Sequence, residues 1–203
     1  MGLLQPGDLD AAGNWVNADI PHKRALELNA LLTRGIKARV KPDDRVVHVG
    51  DAACKGGERG TAALHIKWSD ILEGLPGRWV LLCGNHDSNN GVKTDCEYME
   101  VKLGGLSVGV QHKPLFDLAA YEQGLREGNT PIPTPELEYM VRHSRYCAEQ
   151  HAFMITAHVH SKWHVKQIAG IWHINVGVDV NRYMPINDNE VLRLYHKALK
   201  GKQ

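Results

Sequence analysis

RWVLLCGNHD, residues 78–87, drives an apolar run straight into a glycine, an amide, an imidazole and a carboxylate. Gly84, Asn85 and Asp87 are ordinary turn residues, but a turn has no need of His86. A buried strand that delivers polar groups at its carboxyl end is typical of open α/β sheets, where ligands gather at those ends. The stretch RVVHVGD, residues 45–51, has the same form and closes on Gly50 and Asp51. Between the two, residues 60–74 carry apolar side chains at helical spacing, so strand, helix and strand in succession imply a parallel crossover.

Upstream, RALELNALLTRGIKA (24–38) has helical spacing and is ended by Lys41-Pro42-Asp43-Asp44. Downstream, EYMEVKL and LSVGVQH are joined through Gly104-Gly105 and read as a hairpin, which makes the sheet system mixed. A loop rich in Gly and Pro follows at 124–135, then a helix at about 135–150. AFMITAHVH, WHVKQIA and IWHINVGV read as closely spaced strands, and NDNEVLRLYHKAL as a helix capped by Asn187 or Asp188.

At 203 residues the chain is expected to form a single domain, 1–203. Its 24 basic and 23 acidic side chains nearly cancel, so no bulk field draws it to nucleic acid or an anionic membrane. Nothing resembles a signal peptide or a spanning helix, and the cytoplasm is the expected compartment. Cys54, Cys83, Cys96 and Cys147 contain no CxxC pair and read as reduced, structural thiols. Twelve histidines, several at the ends of apolar runs, favour metal or acid–base chemistry instead.

Four polar clusters end strands: Gly50-Asp51, Gly84-Asn85-His86-Asp87, His112, and His158-Val159-His160. If the strand ends share one edge, Asp51 can offer bridging oxygens, Asn85 a neutral carbonyl, and His112, His158 and His160 imidazole nitrogens. His158 and His160, two apart in an extended segment, would point to the same side. Carboxylate, amide and imidazole without thiolate suit Mn, Fe, Zn or Ni better than Ca or a structural zinc.

In this order and over this span, VGD (49–51), GNHD (84–87), QHKP (111–114) and AHVH (157–160) resemble the calcineurin-like metallophosphoesterase family. The similarity runs on through NVGVD (175–179). One such motif is weak evidence and four in sequence are strong. The resemblance implies an α/β fold, a four-layer α-β-β-α sandwich of two mixed sheets with the site on loops at one sheet edge. It implies one or two divalent transition-metal ions, with Mn favoured. Asp51 would bridge them, Asn85, His112 and His158 would complete one site, and His160 would belong to the other. In the family mechanism a metal-bound hydroxide attacks phosphorus in line, and His86 would protonate or stabilise the leaving group. Asp87 would orient that imidazole. The substrate implied is a phosphodiester or small phosphomonoester, with nucleic acid entering only as a substrate.

The chain departs from the family at its start. Family members open with a strand ending in Asp-x-His, and MGLLQPGDLDAAGNW has neither that strand nor the histidine. Asp8-Leu9-Asp10 is the nearest imitation, and the first histidine is His22. Three readings stay open: the first strand lies upstream of this sequence, Asp8 or Asp10 serves as an unusual ligand, or a single metal binds. The alternative function is a non-catalytic binding module of the same fold with one degenerate metal site.

Taken singly, each site residue has a plainer reading: a turn or N-cap for Asp51 and Asn85, a satisfied strand-end imidazole for His112, alternating surface polarity for His158 and His160. These readings must all hold together to displace the metal pocket. His48 and His173 lie inside apolar strands and read as core. His65, His143, His151 and His196 read as helix residues, and His164 as facing out of a strand. Lys55, Lys113 and Arg182 read as solvated cations at least as readily as phosphate ligands.

Overall fold

The computed structural model describes residues 20–52, 67–128 and 134–201. Helix α1 (Ile20–Arg39) leads, and the turn at Lys41, whose amide donates to Asp44 Oδ2 at 2.8 Å, ends it. Strands β1 (Arg45–His48) and β2 (Arg78–Leu81) pair in parallel, His48 beside Leu81, with the short helix α2 (Trp68–Glu73) before β2. The parallel crossover expected from the sequence is present, although 53–66 of the connection lie outside the described residues. The far side of β2 is tied to the segment that follows the GNHD turn: Leu81 N–H donates to Asp95 Oδ2 at 2.8 Å and Cys83 N–H to Cys96 O at 2.8 Å.

The hairpin β3 (Tyr98–Leu103) and β4 (Leu106–Gln111) turns on Gly104 and Gly105, both at positive φ. With β5 (Phe153–Thr156), β6 (Val165–Ile168) and β7 (Ile171–Asn175) it builds a five-stranded sheet in the order β3-β4-β5-β7-β6. The three central strands, β4, β5 and β7, are parallel, and the two outer strands are antiparallel to them. The fold class is thus α/β with a mixed sheet. Among the described residues the second sheet shows two parallel strands, β1 and β2.

Alternation along β5 decides what lies on each face. Phe153 and Ile155 enter the larger core with Val49 and Leu82, which directly follow β1 and β2, and Val191 of α5 (Asp188–Lys200). Met154 points the other way and packs with Cys147 of α4 (Pro135–Gln150) and Ile171. Burying side chains of this size contributes about 1.5–3 kcal/mol each, so β5 anchors the molecule on both faces.

Helix α4 starts where Thr134 caps Leu137 N–H at 3.1 Å and Pro135 follows, the arrangement its sequence signals. Asn187, not Asp188, is the cap of α5, in a capping box with Glu190. Helix α3 (Leu118–Arg126), capped by Asp117, occupies a stretch in which no helix was expected, so the loop read at 124–135 begins later than its composition suggested. Residues 129–133 of that loop lie outside the described residues. No helix among the described residues is long and apolar enough to cross a membrane.

Candidate metal centre

The parallel strands of both sheets bring their carboxyl ends to one place. After β1, Gly50 and Asp51 take consecutive left-handed conformations, φ 83° and 58°, and fold the chain sharply back. Gly84 after β2 touches this turn so closely that a Cβ on it would stand 2.2 Å from Asp51 N and Oδ1. A Cβ on Gly50 would fall 2.6 Å from His112 Nδ1. Both positions therefore require glycine, because only hydrogen fits where the two turns and the end of β4 meet.

His112, at the end of β4, is the hub. Its Nδ1 lies 2.8 Å from Val49 O, and since a carbonyl only accepts, Nδ1 carries a proton and donates it. The opposite nitrogen, Nε2, then faces Asp51 Oδ2 at 3.0 Å, Asn85 Oδ1 at 3.1 Å and His158 Nδ1 at 3.3 Å. A carboxylate oxygen, an amide oxygen and two ring nitrogens thus crowd around one point, and one proton on Nε2 can serve only one of its three neighbours. A cation placed among them would be shared by all four. Burial, His112 and Lys113 hold the His158 imidazole below its ordinary pKa, although Asp51 opposes them, which favours the neutral form that ligates metals.

The donor set thus fits a divalent transition metal: one carboxylate, one amide and two imidazoles with no thiolate. Among the described residues, Asp51, His112 and His158 form a group whose ligand atoms all lie within 4.8 Å of one another. The structure therefore brings together Asp51, Asn85, His112 and His158.

His160 is not part of that group. Strand β5 ends at Thr156, and His158 and His160 both sit at positive φ, 59° and 49°, in the turn beyond it. The expectation that the pair shares one side of an extended segment is corrected: backbone reversal, not strand alternation, sets their directions. His160, with 76% of its side chain exposed, binds Asp179 Oδ2 at 2.9 Å through Nδ1. The loop carrying both histidines is secured by Asn175, which is fully buried and donates to His160 O at 2.8 Å and Trp163 O at 2.7 Å.

His86 is exposed and adjoins Asn85, its backbone N–H bound to Asp51 Oδ1 at 2.9 Å. Asp87 is fully buried, and its carboxylate accepts the N–H groups of Asp51, Gly84 and Ala52, each at 2.8 Å. The family resemblance implies that this carboxylate orients the His86 imidazole; these three bonds run to main-chain amides.

Asn175 and Asp179 belong to NVGVD, a stretch whose local pattern specifies no role for either. Their place at and beyond the end of the buried strand β7 is the available signal, the same one that singles out Asp51 and His112. Lys113 and Arg182 are exposed, whereas Lys55, Asp8, Asp10 and the side chain of His22 lie outside the described residues. His48 packs against Trp68 with ring centroids 5.4 Å apart, and burial holds its pKa down.

No family model matches the sequence, and no curated protein matches it either. Among solved structures, a protein of unknown function from Aquifex aeolicus matches at TM-score 0.56 and 23% identity, over 88% of this chain and 93% of that one. The likeness is one of fold. Vps29 from Entamoeba histolytica, solved with Zn²⁺, matches at TM-score 0.38 and 22% identity over 73% of this chain and 63% of that one. A predicted phosphoesterase from Streptococcus pneumoniae matches at TM-score 0.36 and 18% identity over 73% and 65%. These neighbours are metallophosphoesterase-fold proteins. At their TM-scores the last two support nothing further about this chain.

Proposed function

We propose that the chain is a metal-dependent phosphoric ester hydrolase of the calcineurin-like metallophosphoesterase type. Its substrate would be a phosphodiester or small phosphomonoester, and its layers those of the four-layer sandwich. The observation that carries this reading is the convergence on His112 Nε2 of Asp51 Oδ2, Asn85 Oδ1 and His158 Nδ1. These four residues would hold a divalent cation, Mn²⁺ favoured. When bound, such a cation supplies an activated water nucleophile and neutralises charge on the phosphoryl oxygens.

The protein's own groups do the rest. Asn85 brings a neutral oxygen, so the ligand set keeps a single formal negative charge and leaves the cation electrophilic toward an anionic ester. His112 is oriented by Val49 O, which holds Nδ1 and turns Nε2 toward the metal position. His86, exposed beside Asn85, is free to meet substrate and protonate the departing ester oxygen.

The test is hydrolysis of an activated aryl phosphate ester in Mn²⁺. His86→Ala is expected to retain metal and lose turnover by about 10²–10⁴-fold, the range for a positioned proton donor. Turnover at the wild-type rate would remove His86 from the chemistry.

A second reading has its own support: His160 binds Asp179 and stands outside the described Asp51 group. A binding module with one degenerate site would take up close to one equivalent of metal. It would also leave bis-aryl phosphate intact at every metal concentration, whereas the hydrolase would cleave it.

A further inference from the structure

We infer that Asp87 is a positioning residue for the ligand Asp51 and sets the metal affinity of the centre. This rests on the reading of Asp51, Asn85, His112 and His158 as metal ligands.

Asp51 must adopt a left-handed backbone, φ 58°, that residues with a Cβ avoid. Two of the amides of that turn, Asp51 N–H and Ala52 N–H, end on the two oxygens of Asp87, at 2.8 Å each. A third, Gly84 N–H, reaches Asp87 Oδ2 at 2.8 Å from within the GNHD turn itself. The carboxylate thus grips both turns, and it does so from full burial, where an acidic group is tolerated only if hydrogen-bonded.

Asp51 returns the grip. Its Oδ1 accepts His86 N–H at 2.9 Å, which leaves Oδ2 as the oxygen facing His112 Nε2 at 3.0 Å. The clasp is reciprocal: Asp87 holds the Asp51 main chain, and the GNHD main chain holds the Asp51 side chain. Which oxygen Asp51 offers to a cation, and from where, is decided by these four bonds. An acid devoted to the His86 ring would instead have its consequence in proton transfer.

The experiment is Mn²⁺ titration calorimetry on wild type, Asp87→Asn and His86→Ala, with the visible spectrum of the Co²⁺-loaded proteins and the pH profile of aryl phosphate turnover at saturating metal. Asn keeps the shape of Asp but turns an NH₂ toward amide donors, so it cannot make all three bonds. Asp87→Asn is expected to weaken Mn²⁺ binding by about 10–100-fold, the usual effect of losing a group that orients a ligand. It should also alter the Co²⁺ spectrum and leave the pH profile where it is. His86→Ala should keep the metal affinity, since its contact with Asp51 is through the backbone. Wild-type affinity in folded Asp87→Asn, above all with a displaced pH profile, would overturn the inference and return Asp87 to the His86 ring.

If Asp87→Asn does not fold, amide hydrogen exchange in the wild-type protein decides. Asp51 and Ala52 N–H protected like the amides of β5 would support the clasp, and exchange at the rate of exposed turns would overturn it. Wild type that takes up no divalent metal would instead sink the reading of the ligands, with the same exchange measurement still judging the clasp.

Discussion

His158 and His160 share a turn, a residue type and a left-handed backbone, yet one joins Asp51 and His112 while the other reaches out to Asp179. The difference lies in what surrounds them. His158 arrives at a point already built by two glycine turns and the braced end of β4. His160 is held at its main chain by Asn175, and its ring is left in solvent. A ligand is made by the rigidity of its neighbours more than by its own place in a motif.

The contrast can be broken most severely at Gly84. Gly84→Ala would force a methyl into contact with Asp51, costing about 3 kcal/mol of stability, and the metal-dependent increase in melting temperature should vanish. A variant that still gained thermal stability from Mn²⁺ would show that the two turns can separate without harm.

The bracing of β4 can be tested through pH. Leu115, just past His112, donates its N–H to His173 Nε2 at 3.3 Å, and burial holds His173 down to about 4 from 6.5. The unfolded chain therefore takes up a proton below pH 6.5 that the folded one refuses until about 4. Stability from this residue is whole above pH 6.5, falls as pH drops toward 4, and is flat below; the total is about 3 kcal/mol. Denaturant melts across that window should show the slope in wild type and its loss in His173→Gln. An equal slope in both would assign it to another group.

A finer division comes from the two histidines themselves. His158→Ala should weaken Mn²⁺ binding by about 100-fold, at the upper end of what even an indirect disturbance achieves. His160→Ala should change the affinity of that site by less than about 3-fold, well under 1 kcal/mol, since 1.4 kcal/mol corresponds to tenfold. Equal losses by calorimetry would mean that the pair acts together once metal is present. The smallest effect is expected at Asp179→Asn, which removes a charge from a pair whose His160 side is largely in solvent and which is worth no more than about 1 kcal/mol in stability. A fall in melting temperature matching that of Gly84→Ala would give that outer contact a structural weight its exposure denies.

Much of the framework was legible. Apolar runs bounded by breakers gave β1, β2 and β5, the paired glycines gave the hairpin, and the helix read at about 135–150 corresponds to α4. Strand ends carrying Asp51, Asn85, His112 and His158 could be grouped because parallel strands deliver their carboxyl ends to one edge.

What escaped has a common cause. Alternation assumes an extended chain, so it does not describe the turn that holds His158 and His160, whose φ of 59° and 49° no spacing reveals. Helix α3 has only Asp117 as a start signal, and the Gly-Pro texture after it drew the loop too early. The three amides on Asp87 join residues 35 and 36 positions apart as well as a near neighbour, and no local pattern specifies such pairings.

Asn175 carries one more consequence. Because it grips carbonyl oxygens of residues 160 and 163 and never their side chains, the rim of that turn is indifferent to the lettering of Val159, Ser161 and Lys162. Those positions offer a place where a new specificity could be written by mutation, with the imidazole of His158 left undisturbed beside it.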